Sequence, residues 1–162
     1  MNLFKTLRRI NFKSFWQLFK LGFSNPLFIL PTLNATKECL SISTEYFGRL
    51  HYKNTPANAF RHAFWNYLIA KKCTKWSRNT KTLIKWTKNI TDWHENAFRN
   101  RDMARKMDFH NNKVGRTVFI ERKESPIEVV IALLLEMTKN SIKITKQTLL
   151  KKHQSTLVHL TE

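Results

Sequence analysis

Glycine and proline are scarce in this chain, with three glycines and four prolines in 162 residues. So few breakers argue against turn-rich sandwiches and barrels, and a Lys-, Leu- and Asn-rich remainder favours helices. Acids are also rare: eleven against 29 lysines and arginines, a formal net charge of +18. A field of that strength attracts polyanions (nucleic acid, anionic lipid headgroups or an acidic partner) without choosing among them. The two cysteines, Cys39 and Cys73, make no CxxC and no disulfide framework; they read as buried free thiols of a reducing compartment. No uncharged apolar run approaches the ~18 residues that a spanning helix needs. The longest, VVIALLL at 129–135, lies between Glu128 and Glu136 and reads as a core helix. At the N-terminus, Lys13 and Lys20 interrupt the apolar part and no small-residue cleavage site follows, so no signal peptide is expected.

What is present can build a core. The apolar fraction is 42%, with 12 phenylalanines and 5 tryptophans, and the length suits one domain. The expected fold is all-α: a compact bundle of six to seven helices, with a basic amphipathic arm over residues 1–24 and a single helical domain over 25–162. In the arm, Phe4, Leu7, Phe12, Phe15, Trp16, Phe19 and Phe23 recur near helical spacing, with Lys5, Arg8, Arg9, Lys13 and Lys20 between them. That pattern suits a helix lying on an anionic membrane, and equally an ordinary helix packed on the domain. Pro26 and Pro31 break it. Helices are then expected over 32–47, stopped by Gly48; over 56–73, with Thr55 as N-cap and Pro56 in first position; over 80–99; and over 101–120. Another should start at Pro126 behind a Ser125/Glu128 capping box. The stretch SIKITKQTLLKKHQSTLVHL reads as a last basic amphipathic helix.

Three short words carry the chemistry: NAFRHAFWN at 58–66, DWHEN at 92–96 and MDFHNNKVGR at 107–116. Only Asp92, Glu95, Asp102 and Asp108 are acidic between 57 and 116, and three of them lie within two residues of a histidine. Imidazole and carboxylate are ligands that Zn, Mn or Fe(II) accept from a helical scaffold. The candidate ligands are His62, His94, Glu95, Asp108 and His110. Residues three or four apart share a helix face, so His62 aligns with Asn66, and Asp108 with Asn112 and Arg116. On a regular helix Asp108 and His110 cannot face one site together. A divalent metal held there would supply hydroxide near neutral pH, with Glu95 as ligand or general base. Arg61 and Arg116 suit an anionic group, and Asn111 and Asn112 would orient substrate or water, with Asn66 beside them. The expectation is a metal-dependent hydrolase of a phosphoester or lipid-linked substrate, cytoplasmic and peripheral to the inner face of the membrane. The ligand order is similar to that of HD-type metal phosphohydrolases, with Glu95 where those carry Asp; the flanking sequence differs.

The same words resemble the signature of an uncharacterised bacterial helical domain family, N-A-x-R-H-A-x-W-N, then H-E, then M-D-x-H-N-N-x-x-G-R, over about residues 56–118. The resemblance implies that Arg61, His62, Asn66, His94, Glu95, Asp108, His110, Asn111, Asn112, Gly115 and Arg116 act as one unit. It assigns no activity. A competing reading makes the cluster a buried hydrogen-bond network that fixes helix packing, with Arg61 or Arg116 pairing the carboxylates. The chain would then be a basic helical binding module for nucleic acid or a protein partner. In KCTKWSRNTKTLIKWTKN, Trp76 and Trp86 could stack on bases among the lysines. G-x-G-x-x-G, the P-loop, G-x-S-x-G and H-E-x-x-H are all missing from the sequence.

Overall fold

The computed structural model describes residues 11–98, 101–145, 150 and 153–161. Within them the chain is all-α, with six helices: α1 (Phe12–Ser24), α2 (Ile29–Phe47), α3 (Pro56–Cys73), α4 (Thr80–Ala97), α5 (Asp102–Arg122) and α6 (Ile127–Lys139). Residues 1–10 of the expected arm lie outside the described part. Short 3-10 turns, Pro26–Phe28 and Leu50–Tyr52, join α1 to α2 and α2 to α3.

Local chemistry sets most of the ends. The Asn11 side chain accepts from Ser14 N at 2.8 Å and Asn79 accepts from Thr82 N at 3.1 Å, capping α1 and α4. Gly48 closes α2 at φ +56°, where an L side chain is strained. Three expectations need correction. Helix α2 starts at Ile29 rather than Thr32, because Pro31 falls in the first turn, where an N–H has no intrahelical partner to lose. Thr55 is the cap residue of α3, but its hydroxyl donates to Leu50 O at 2.9 Å instead of accepting from the helix. The Ser125/Glu128 box does not form; Pro126 itself stands at the cap of α6, without a side-chain cap bond.

The expected last helix is corrected at both of its described ends. Ile142–Lys143 (β1) and Val158–His159 (β2) pair as a short parallel ribbon. Ile142 and Ile144 alternate with Lys143, the period of a strand rather than a helix. Asn111 of α5 supplies β2 with a second edge: its amide donates to Val158 O at 2.9 Å and accepts from Val158 N at 3.0 Å.

Helix α3 is the axis of the fold. Ala59, Phe60, Ala63, Phe64, Tyr67, Leu68 and Ala70 are all buried, and so are His62, Asn66 and Ile69, so most of its circumference is covered. It packs against α5 and α2 most extensively, then against α6 and α4. Indole N–H groups tie α2 to its neighbours: Trp86 Nε1 of α4 donates to Thr32 Oγ1 at 3.0 Å, and Trp65 Nε1 of α3 to Thr36 Oγ1 at 2.9 Å. Trp93 Nε1 reaches Ser14 O at 2.8 Å and holds α1 on α4. Trp86 is therefore a core residue, and the expected stacking platform on it is lost; Trp76 alone of that pair is exposed. Cys39 and Cys73 are buried free thiols. Burial pushes each up to about 12, which makes both unreactive.

At Gly115, α5 presses directly on the backbone of α3, and a Cβ there would fall inside the Ala63 peptide. Backbone cannot yield as a side-chain tip can. Gly115→Ala is predicted to destabilise the protein by about 3 kcal/mol or more, read as a lowered urea midpoint; an unchanged midpoint would show that the two helices can part.

Candidate functional site

Each of three helices contributes a stripe of residues four apart. His62 and Asn66 come from α3, Thr91 and Glu95 from α4, and Asp108, Asn112 and Arg116 from α5. All seven are buried. Asn66 uses every hydrogen-bonding position it has. Its Nδ2 donates to His62 O at 3.0 Å and to Asn112 Oδ1 at 2.7 Å. Its Oδ1 accepts from Thr91 Oγ1 at 3.2 Å and from Arg116 at 2.8 Å. Asn112 in turn donates to Glu95 Oε1 at 3.1 Å.

His62 lies between two carboxylates. Nδ1 is 3.1 Å from Asn112 Oδ1 and 3.4 Å from Glu95 Oε1, while Nε2 is 3.3 Å from Asp108 Oδ1. The Arg61 guanidinium approaches the same Nε2 at 2.9 Å. Nε2 therefore faces an acceptor and a donor at once. It serves Asp108 when protonated and accepts from Arg61 when neutral. Burial opposes the charged ring, yet Asp108 and Glu95 together outweigh it and Arg61, and hold the imidazole above its ordinary pKa. Burial likewise opposes a charged Glu95, but His62, His94 and the Asn112 amide hold that carboxyl down to about 2. The arrangement is an imidazole held between two carboxylates that favour its charged form, with arginines at either end.

Three expected members face elsewhere. The His94 ring lies edge-on to Trp65 at 5.1 Å and 4.8 Å from Phe98, and burial lowers its pKa to about 4. His110 Nε2 pairs with Thr156 O at 2.8 Å, on the face of α5 that its spacing from Asp108 predicts. Asn111 holds β2, as described. Among the described residues no three His, Cys, Asp or Glu side chains are placed to share a metal ion. The reason is geometric: His62 turns opposite corners of its ring to Glu95 and Asp108, so one ion cannot take all three. The expected ligand set of His62, His94, Glu95, Asp108 and His110 is thus not assembled at one point among them. Thr91 was missed from sequence, although it stands four residues before Glu95 and so on the same helix face.

The linkage signs follow from these shifts. His62, raised above its unfolded value of 6.5, adds stability that is complete below 6.5 and is lost as pH rises through its folded pKa. Glu95, lowered from 4.5 to about 2, adds stability that is complete above 4.5 and is lost as pH falls through about 2. His94, lowered from 6.5 to about 4, withdraws stability as pH falls from 6.5 towards 4. His62→Gln, which removes the ring from between the two carboxylates, is predicted to cost about 3–5 kcal/mol in urea unfolding at pH ~6. The penalty should shrink in alkaline buffer; a penalty that does not change with pH would contradict a charged His62.

The chain belongs to a family defined by a domain of unknown function (DUF6973), which matches residues 19–153. That match takes in all three signature words and extends from within α1 to the segment before β2. No curated protein and no solved structure matches the chain.

Proposed function

We propose that this protein is a basic helical binding module that docks on anionic membrane surfaces, and that the His62 network is its internal frame. One observation carries the reading: α1 wears its apolar face outward. Ser14, Leu18 and Leu21 face the body of the protein, while Phe12, Phe15, Trp16, Phe19 and Phe23 are exposed, Phe12 and Phe23 by 82% and 80%. A surface helix of a soluble domain normally turns that face inward. Here Trp16 and Phe19 stack at 5.4 Å, Phe19 and Phe23 at 6.2 Å, Lys20 Nζ lies 5.8 Å from the Trp16 ring centre, and Leu27 and Leu30 are exposed as well. A contiguous patch of this kind marks an interaction site.

Charge selects the partner. Lys5, Arg8, Arg9, Lys13, Lys20 and Lys37 precede the first acid of the chain, Glu38. Each cation near an anionic bilayer contributes about 1 kcal/mol, and each aromatic taken out of water roughly 1.5–3 kcal/mol. Insertion of the rings therefore outweighs attraction of the lysines, and binding should survive moderate salt. Nucleic-acid binding rests on counterion release and would not. Among the described residues no helix is long and apolar enough to cross a membrane.

Flotation with vesicles rich in phosphatidylglycerol tests the reading. The wild type should float, and Phe12→Ser/Phe15→Ser/Trp16→Ser should lose at least tenfold in affinity without loss of fold, since all three residues are exposed. Equal flotation of the triple variant would sink the proposal. So would tight, salt-sensitive binding to nucleic acid with no vesicle binding at all.

Hydrolysis of a phosphoester or lipid-linked substrate is a second reading, favoured by one feature: Asp108 and the partly buried Arg61 meet at His62 Nε2. A carboxylate, an imidazole and a guanidinium at one point are parts from which acid–base catalysis beside an anion is built. Turnover of lipid phosphoesters that Asp108→Asn abolishes would establish it; turnover unaffected by Asp108→Asn and Arg61→Gln would remove it.

A further inference from the structure

Behind the outward face of α1 runs a groove of about 440 Å³, walled by Leu18 and Gly22 of α1, Ile29 and Leu33 of α2, and Trp86 and Ile90 of α4. Its volume falls within the ~300–1,000 Å³ of small-molecule sites. The walls offer almost nothing polar. The one hydroxyl among them, Thr32 Oγ1, is already engaged by Trp86 Nε1 at 3.0 Å. A ligand with a polar body would lose its hydration there without compensation, whereas an alkyl chain would lose none.

We propose that this groove takes one acyl chain of an anionic membrane phospholipid. The inference rests on the docking proposed above and deepens it, from contact with a surface to capture of a single lipid. Two features point to that occupant. Phe19 and Phe23 belong both to the outward face and to the groove wall, so the groove opens where the bilayer would lie. Its wall residues on α1 and α2 lie in the stretch before Glu38, which carries lysines and arginines and no acid. Exposed Lys20 follows the groove-wall residue Phe19 in sequence, and its Nζ lies over the exposed Trp16 ring, on the outward face that would meet the headgroup. Gly22 leaves the space open: a Cβ there would come within 3.3 Å of Ile29 Cδ1, the movable end of a side chain. A larger side chain at 22 therefore requires that flexible end to give by a few tenths of an ångström, and it meets the groove wall rather than backbone.

The test is calorimetric titration of the full chain with an anionic lysophospholipid held below its micelle concentration, alongside the flotation assay. One lipid should bind per chain. Gly22→Leu should reduce that affinity at least tenfold while flotation persists. Phe12→Ser/Phe15→Ser/Trp16→Ser should do the reverse, losing flotation and keeping the monomeric lipid. Leu33→Trp, on the opposite wall, gives a second obstruction should Gly22→Leu fold poorly. No binding of monomeric lipid by a wild type that floats overturns the groove and leaves the docking standing. Undiminished binding by both obstructed variants also overturns it, and equal affinity for a zwitterionic lysophospholipid overturns the choice of an anionic headgroup.

Discussion

The polar centre between α3, α4 and α5 depends on His62 being held between Glu95 and Asp108. Taking two carboxylates and the groups that face them out of water costs several kcal/mol per ion, and only close pairing offsets it. That demand leaves the helices little freedom. The rows 62/66, 91/95 and 108/112/116 have to meet in one register, because a slip along any helix would strand a charge in the core. The surrounding apolar side chains stabilise the bundle, but they would tolerate neighbouring registers more readily. The network adds specificity of packing to whatever stability it contributes. The missing side chain of Gly115 is the steric counterpart of the same constraint: it lets α5 come close enough to α3 for Asn112 to reach both Asn66 and His62.

The helices were largely legible from periodicity, Pro56 and Gly48, because those signals are local. The polar stripes were legible for the same reason: residues four apart share a face whatever the tertiary structure. Spacing also showed that His110 could not join Asp108. What spacing within one helix cannot show is the angle at which another helix arrives. His94 and Glu95 are neighbours, yet only Glu95 turns into the network while His94 packs on Trp65 and Phe98. A ligand list drawn from residue types therefore joined side chains that the fold separates. The C-terminal stretch misled differently. Its lysines and leucines favour a helix, but the backbone of Val158 finds two hydrogen bonds on Asn111, a contact 47 residues away in sequence. Trp86 looked like part of a basic surface and is instead the rivet between α2 and α4.

Helix α4 joins the two halves of this account. One face sends Thr91 and Glu95 into the network; another carries Trp86, Ile90 and Trp93 towards α1. The position of α1, and with it the outward turn of its aromatics, is thus fixed through α4 to the charged centre. A helix held by an indole N–H on its own backbone and by two leucines keeps its apolar face for something else. The excess of positive charge and the lack of any acid before Glu38 are what the proposal of an anionic surface rests on.

The central claim, that the outward face of α1 enters an anionic bilayer, is tested most directly by a spin label at Phe12→Cys. The native thiols Cys39 and Cys73 are buried, with pKa values near 12, and will not compete for the reagent. With phosphatidylglycerol vesicles, the label should become accessible to oxygen and shielded from a water-soluble nickel chelate, while the same label at exposed Trp76→Cys stays open to the chelate. A Phe12→Cys label that remains as open to nickel with vesicles as without them would contradict the account.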